Sequence, residues 1–246
     1  MTDRERFKAA AMRVIAEESA PLGIGTLAEK LVHKTLKLYF EPRVENHEVE
    51  YLGSVADIMG DEGIIEIQRA AYARLLPKLK KFLPSAPVTV VYPVVGRKRL
   101  RWLDPESGEI SSTGRHIRGK TLYDTAFELM KISELIGNER LRVLIVFLEC
   151  DEYRLLNGRG EKKKIKAGKI DMIPTDLLDI IELKERDDYR IFLPEDIGEE
   201  FTARQFYRVC PSRSRYSYYS LRLLCEVGLL TREKVGKEYI YKKLFI

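Results

Sequence analysis

The segment that most restricts the fold lies between residues 55 and 68, where two apolar runs flank the sequence Gly-Asp-Glu-Gly. Short apolar runs on either side of a glycine-rich turn predict an antiparallel β-hairpin. If Gly60 pairs with Gly63 across the turn, Asp57 lies directly opposite Glu66 on one face. Directly opposed residues have Cβ atoms roughly 4.5–5.5 Å apart, so the sequence predicts two neighbouring carboxylates.

Two like charges in direct cross-strand register destabilise a hairpin, and partial burial increases that cost. A divalent cation offsets the repulsion, because carboxylates are preferred ligands of Mg²⁺, which also takes phosphate oxygens. Gln68 shares the face of Asp57 and Glu66, since side chains alternate along a strand. We therefore expect a Mg²⁺ (or Mn²⁺) site on this face. The alternatives are an exposed face, or acids that pair with Lys or Arg elsewhere.

The rest of the chain alternates helix-like and strand-like segments. An amphipathic stripe at residues 3–18 and a capping box beginning at Thr26 each predict a helix, the second ending before Pro42. The order of these and the remaining elements predicts an α/β fold with a mixed central sheet flanked by helices. Further helices are expected at 69–83, 121–136 and 175–185, strands at 47–59, 64–68, 87–95 and 142–150, and a hairpin at 100–110.

The 246 residues suffice for one large domain and a small one. We expect an N-terminal helix at 1–21, the α/β domain at 22–194 and a C-terminal domain at 195–246. The longest apolar run, 143–148, is too short to cross a bilayer, and no secretory signal is visible. Three scattered cysteines fit a reducing compartment. The sequence therefore favours a cytoplasmic protein without a membrane partner.

The C-terminal segment 201–246 is strongly basic: it holds ten Lys/Arg and three Asp/Glu, although the whole chain carries only +5. Thr202 is placed to cap a short helix, and a second helix is expected at 213–227, before Gly228. Residues 229–242 are typical of a two-stranded wing around a turn. This order predicts a winged helix, and its positive charge predicts DNA as the partner.

Candidate DNA contacts lie on the second helix and on the wing. Arginine suits phosphate and guanine contacts, and lysine suits phosphates. The alternative is a winged helix used for contact with protein or for a homodimer, because tyrosine is also common at interfaces. The residues expected to bind DNA are Arg213, Arg215, Tyr219 and Arg222 on the helix, and Lys234 and Lys237 on the wing.

An Asp on the first strand and Glu-x-Gln on the second, followed by a helix, resembles the PD-(D/E)xK nuclease superfamily with its restriction-endonuclease-like fold. Asp57 matches the first acid and Glu66 the second, whereas Gln68 stands where the superfamily usually has lysine. The resemblance implies that Asp57, Glu66 and the backbone carbonyl of Ile67 hold Mg²⁺. It also implies that Gln68 orients the attacking water without bringing a positive charge.

The superfamily often adds an acid from the helix before the hairpin, and Glu29 fits that place. The alternative role of Glu29 is to complete the capping box of Thr26. His33, one turn further along the helix, is expected either to orient a water or contact a phosphate, or to lie in the core. Lys78 and Lys120 are candidate sources of the charge that glutamine lacks.

The function implied by the first resemblance is endonucleolytic, metal-dependent hydrolysis of DNA phosphodiester bonds, with a winged helix that binds DNA. The alternative is a non-catalytic DNA-binding or regulatory protein on a decayed nuclease fold. Residues 33–37, 66–68 and 88–93 and the winged helix also resemble a group of uncharacterised bacterial proteins common in Firmicutes, which implies no activity. The basic loop at 158–169 is either a phosphate-contacting flap or a solvated hairpin tip.

Overall fold

The structure is a computed structural model that describes residues 1–18, 27–156, 168–212, 216 and 218–244, with the backbone alone at 18, 27–30, 113 and 171. The chain divides into two compact units. Unit 1 comprises Met1–Val49, Pro93–Lys120 and Val146–Ile180, and unit 2 comprises Glu50–Tyr92, Thr121–Ile145 and Ile181–Ile246. The domain boundaries expected after residues 21 and 194 stay predictions.

Helices and strands alternate along the described chain. The helices are α1 (Asp3–Glu18), α2 (Leu27–Phe40), α3 (Tyr72–Phe82), α4 (Ala126–Leu129), α5 (Ala203–Val209) and α6 (Tyr218–Glu226). The strands are β1 (His47–Tyr51), β2 (Ser54–Gly60), β3 (Gly63–Ile67), β4 (Val88–Leu103), β5 (Ile110–Arg118), β6 (Leu141–Leu155), β7 (Gly168–Leu183), β8 (Glu200–Thr202), β9 (Leu230–Val235) and β10 (Glu238–Lys243). Short 3₁₀-helices lie at Val44–Asn46, Leu122–Asp124, Met130–Leu135 and Arg186–Phe192.

The larger sheet has seven strands within the described residues. Its order is β1-β2-β3-β4-β6-β7, and β5 pairs with β4. The pair β2–β3 is antiparallel, whereas β3–β4 is parallel with Ile64 opposite Val88 and Ile67 opposite Val91. The predicted α/β class, with a mixed sheet and flanking helices, is therefore confirmed.

In unit 2, α3 has one apolar face. The buried residues of α3 are Tyr72, Leu75, Leu79 and Phe82, which are spaced three or four apart and so share one side of the helix. The ring centroids of Tyr72 and Tyr92 of β4 are 5.4 Å apart. The helix therefore packs on the sheet through this face, which fixes the direction of the side chains beside it.

In unit 1, α1 and α2 pack on each other. Phe7, Ala10 and Val14 of α1 are buried, as are Leu36 and Tyr39 of α2. The rings of Phe7 and Tyr39 meet edge to face with centroids 5.8 Å apart. The amphipathic stripe predicted at the N-terminus is therefore confirmed as the packing face of α1.

Two expected helices are corrected by the structure. The helix expected at 175–185 is wrong, because residues 175–183 belong to β7. The helix expected at 121–136 is interrupted: the four-residue α4 lies between 3₁₀-helices. The apolar spacing at 177–181 resembles that of a helix, but β7 lies beside β6 in the sheet, and this pairing outweighs the local preference.

The strand expected at 47–59 is two strands, because the chain turns at Leu52 and Gly53, both with positive φ. Strands β4 and β6 extend well beyond the expected 87–95 and 142–150. Their added residues are rich in charge, so hydrophobic patterning alone does not identify them as strand. The hairpin expected at 100–110 is confirmed by the antiparallel pair β4–β5.

The C-terminal elements of unit 2 have the expected order. Thr202 Oγ1 accepts from Gln205 N at 3.2 Å, and the Gln205 side chain accepts from Thr202 N at 2.7 Å, which confirms the predicted cap of α5. Gly228, with φ of 80°, follows α6. The strands β8, β10 and β9 form a three-stranded sheet in that order, and Leu221 and Leu224 of α6 are fully buried.

Among the described helices, none is long and apolar enough to span a membrane.

Candidate functional site

The candidate site is the hairpin formed by β2 and β3 in unit 2. Gly60 pairs with Gly63 and Ile58 pairs with Ile65, so the predicted register is confirmed. Asp57 and Glu66 are the next positions along these two strands. The carboxylate of Asp57 accepts a hydrogen bond from the backbone N–H of Ile67, with 2.7 Å between Oδ2 and N. The first acid therefore reaches across to β3, beside the second.

Glu66 is buried, with 3% of its surface exposed. Its Oε1 atom is buried and has no hydrogen-bond partner among the described residues. Its Oε2 atom lies 2.6 Å from Nζ of Lys78, whose side chain is 24% exposed. One oxygen of this carboxylate is thus paired with a cation, and the other is buried without a hydrogen bond from the described residues, which is costly for a charged group.

The electrostatics of the pair follow from this burial. The pKa of Glu66 is raised to about 7: burial is the largest cause, the hydrogen bond and charge of Lys78 lower it, and the charge of Asp57 also raises it. The predicted repulsion between the two acids is therefore present, although burial is the larger cause. The ion pair with Lys78 does not compensate fully, because the pKa of Glu66 stays well above the ordinary value of 4.5.

Gln68 stands at the position where the resemblance implies lysine, and Lys78 is the cation that contacts the hairpin. The side-chain amide of Gln68 donates a hydrogen bond to the carbonyl of Ala70, and Gln68 brings no charge. Lys78 lies one and a half turns into α3, beside the buried face of that helix. Of the two lysines that the sequence offered, the structure brings Lys78 to the hairpin, whereas Lys120 belongs to unit 1.

Two further expected residues lie in unit 1. Glu29 falls within α2, but its side chain lies outside the described part of the chain, as does Thr26. His33 is half-buried on the same helix. The expected roles of Glu29 and His33 stay predictions. The basic loop expected at 158–169 lies mostly outside the described residues, since 157–167 are not described.

The hairpin offers two carboxylates, a number that suits a cation with water as most of its ligands. In the described part of the chain there is no group of three or more His, Cys, Asp or Glu that could hold a metal ion. Mg²⁺, however, is commonly bound through one or two carboxylates and keeps several waters. The unpartnered Oε1 of Glu66, next to Asp57, fits such a site.

The expected DNA contacts on the wing are accessible. Lys234 and Lys237 are exposed at the β9–β10 turn. Arg222 is also exposed, 3.9 Å from Glu226 one turn along α6. Tyr219 differs from the expected outward position, because its ring contacts Phe127 at a centroid distance of 4.6 Å. Arg213 and Arg215 lie outside the described residues.

Unit 1 holds a charged network that was not predicted from the sequence. Glu149, Asp151 and Glu152 are buried on β6, and they contact the basic side chains of β4. The signal was present as the run Gly-Arg-Lys-Arg-Leu-Arg-Trp at 96–102, followed about fifty residues later by Glu-Cys-Asp-Glu. Residues 96–99 and 151–152 lie outside the expected strands at 87–95, 100–110 and 142–150, so the contacts between the two runs were not predicted.

The fold and the hairpin define an α/β protein with a buried glutamate beside a half-buried aspartate on adjacent strands. The chain belongs to the family described as "Domain of unknown function (DUF8091)", which matches residues 30–184. A protein of Treponema pallidum (strain Nichols), described as "Uncharacterized protein", is 29% identical over 226 residues, which cover 89% of this chain and 87% of the relative. No solved structure matches the chain. The family range includes the hairpin and α3.

Proposed function

We propose that this protein is a divalent-cation-dependent nuclease that hydrolyses DNA phosphodiester bonds, on a restriction-endonuclease-like α/β domain. The observation that carries the proposal is the buried, unpartnered Oε1 of Glu66 beside Asp57. A carboxylate in this state is costly to ionise, and a cation shared with Asp57 would offset both burial and repulsion. The antiparallel hairpin followed by a helix and a parallel strand supports the same assignment.

The ligands proposed for the cation are Asp57, Glu66 and the backbone carbonyl of Ile67, with water in the other positions. When bound, Mg²⁺ would lower the pKa of a water and screen the charge that develops on the phosphate. The hydrogen bond from Ile67 N–H to Asp57 holds the first carboxylate in place.

Lys78 supplies the positive charge that glutamine at position 68 lacks. Its ammonium group is already 2.6 Å from Glu66 Oε2, so it needs no rearrangement to stabilise negative charge beside the acids. Gln68 keeps a side-chain oxygen that can orient a water while its amide donates to Ala70. The role proposed for Gln68 is therefore to position water, and the role proposed for Lys78 is electrostatic.

DNA cleavage in Mg²⁺ or Mn²⁺ tests the proposal. We expect cleavage by the wild type and its loss in Asp57→Asn and Glu66→Gln, with both variants folded. Glu62→Gln is the matched control, because Glu62 lies in the same hairpin and its side chain is 89% exposed. Equal activity in Glu66→Gln and Glu62→Gln would contradict the assignment of the site.

A second candidate is a non-catalytic DNA-binding or regulatory protein on a nuclease fold that has lost its activity. It is favoured by glutamine at position 68 and by the ion pair of Lys78 with Glu66, which occupies one oxygen of the acid. This candidate predicts DNA binding through the wing, at Lys234 and Lys237, but no cleavage of single-stranded, duplex or branched DNA with either cation. Cleavage by the wild type separates the two. Where the wild type cleaves, Lys78→Gln should lower the rate by about 10²–10³-fold if Lys78 acts in the reaction, with Lys81→Gln on the same helix as control.

A further inference from the structure

Unit 1 carries a second basic surface, distinct from the wing. It consists of Arg97, Arg99 and Arg101 on β4 and of His116 and Arg118 on β5, and we refer to it as the arginine face. Cross-strand register places Arg97 opposite Arg118 and Arg99 opposite His116, so these side chains share one side of the two strands. A register shift follows Arg99, and Arg101 joins the same side because it contacts the same acid as Arg99.

Two buried acids of β6 hold the arginines in place. Glu149 lies 3.4 Å from Arg97 and 3.1 Å from His116. Asp151 lies 2.9 Å from both Arg99 and Arg101. Glu149 is 9% exposed and Asp151 is 6% exposed, so both acids make these contacts largely shielded from water. The guanidinium groups are therefore fixed in position before any ligand arrives.

The arginine face keeps a surplus of positive charge. Four arginines contact or flank only two carboxylates on this face. Arg118 is exposed, and no side-chain partner of it is found in the part of the chain that the structure describes. Direct opposition of Arg97 and Arg118 is unfavourable, since like charges across a strand pair repel. Although Arg97 contacts Glu149, its side chain is still 51% exposed and therefore accessible to a ligand.

Protection of a sheet edge does not explain this arrangement. Charged residues often protect an edge strand from pairing with another chain. Strand β5 is an edge strand, because β4 is the one strand with which it pairs within the described residues. The arginines at 97, 99 and 101, however, lie on β4, which has neighbours on both sides. Their charge does not serve to block an edge, and with Arg118 it exceeds the charge of the two acids that they contact.

We infer that the arginine face binds the phosphate backbone of a nucleic acid. Guanidinium groups match phosphate oxygens in a bidentate geometry, and groups already held by buried acids lose little freedom on binding. The inference rests on the proposed nucleic-acid substrate but needs neither the cation site nor cleavage. It adds a second contact surface, in unit 1, to the wing of unit 2.

The test is the salt dependence of binding to labelled duplex and single-stranded DNA, measured by fluorescence anisotropy without divalent metal. Arg97→Gln/Arg118→Gln should lower the log–log slope by about 0.9 for each lost phosphate contact on duplex, which amounts to about eightfold per contact between 1 M and 0.1 M salt. Arg13→Gln/Lys184→Gln is the control. It removes the same charge at two exposed positions outside β4 and β5 and should leave the slope nearly unchanged. Thermal melts check that both variants fold.

Each outcome decides the inference. A reduced slope in the first double variant alone supports it, whether or not the wild type cleaves DNA. An unchanged slope in that variant, or an equal loss in both, overturns it. Absence of DNA binding by the wild type at low salt also overturns it, as does preferential binding to vesicles of anionic lipid. Cation binding at Asp57 and Glu66 is measured separately and is unaffected by any of these results.

Discussion

Substitution of Glu66 by Gln gives a stability test that needs no substrate. Burial is the main cause that raises the pKa of Glu66 from 4.5 to about 7. The folded state therefore holds this proton more tightly than the unfolded state. The stabilisation from the proton is complete below pH 4.5 and is lost as the pH rises through about 7. Between pH 5 and pH 8 the loss is about 2.5 kcal/mol.

The variant Glu66→Gln has no proton to lose at this position. Its stability relative to the wild type should therefore rise by about 2.5 kcal/mol from pH 5 to pH 8 in chelator, or by about 5–10 °C in melting temperature for a chain of this size. Glu62→Gln should show no such change, because Glu62 is exposed. Comparing the variant with the wild type removes the contribution of histidines that titrate in the same range.

Added Mn²⁺ completes the experiment. The wild type should be stabilised by mass action, and more at pH 8 than at pH 5, because the cation competes with the proton for Glu66. Glu66→Gln should respond little. If Glu66 serves instead as a structural partner of Lys78, the variant should lose roughly 3–5 kcal/mol at both pH values. That loss, with no response to Mn²⁺ in the wild type, would refute the reasoning.

Three further predictions concern the elements around the site. Gln68→Lys should fold and keep or raise cleavage, because Gln68 is only half-buried; loss of folding would show that its surroundings are a dry core. Lys234→Ala/Lys237→Ala should lower the salt slope of DNA binding by about two units, and an unchanged slope would point to protein contact by the wing. Leu79→Ala should destabilise the protein by about 2–5 kcal/mol in urea, because Leu79 is fully buried on α3; a loss under about 1 kcal/mol would contradict the packing of α3 on the sheet.

Features set by neighbouring residues were predictable from the sequence. The hairpin register follows from its turn and from the alternation of side chains, and the pairing of Gly60 with Gly63 is as expected. The cap at Thr202 needs only the glutamine three residues later. Helix α6 ends before Gly228, because glycine readily adopts the positive φ that follows the end of a helix. In each case the determining atoms lie within a few residues of one another.

Features set by distant partners were not predictable in the same way. Strand β7 contains a helix-like spacing of apolar residues, and only its neighbour β6 in the sheet decides for strand. The basic run of β4 depends on acids of β6 about fifty residues away. Lys78 was a candidate by its position after the hairpin, but its contact with Glu66 depends on how α3 packs. Periodicity records which face of an element is apolar, not which element will cover it.

A calorimetric titration of the protein with Mn²⁺ at pH 7 tests the cation site at Asp57 and Glu66 most directly. The wild type should bind with release of roughly half a proton per cation, since the pKa of Glu66 is about 7. The release is measured from the heats in two buffers of different ionisation enthalpy. Glu66→Gln and Asp57→Asn should lose the binding, and Glu62→Gln should keep it. Absence of binding by the wild type at millimolar Mn²⁺, or equal binding by Glu66→Gln, would contradict the assignment of these two acids as cation ligands.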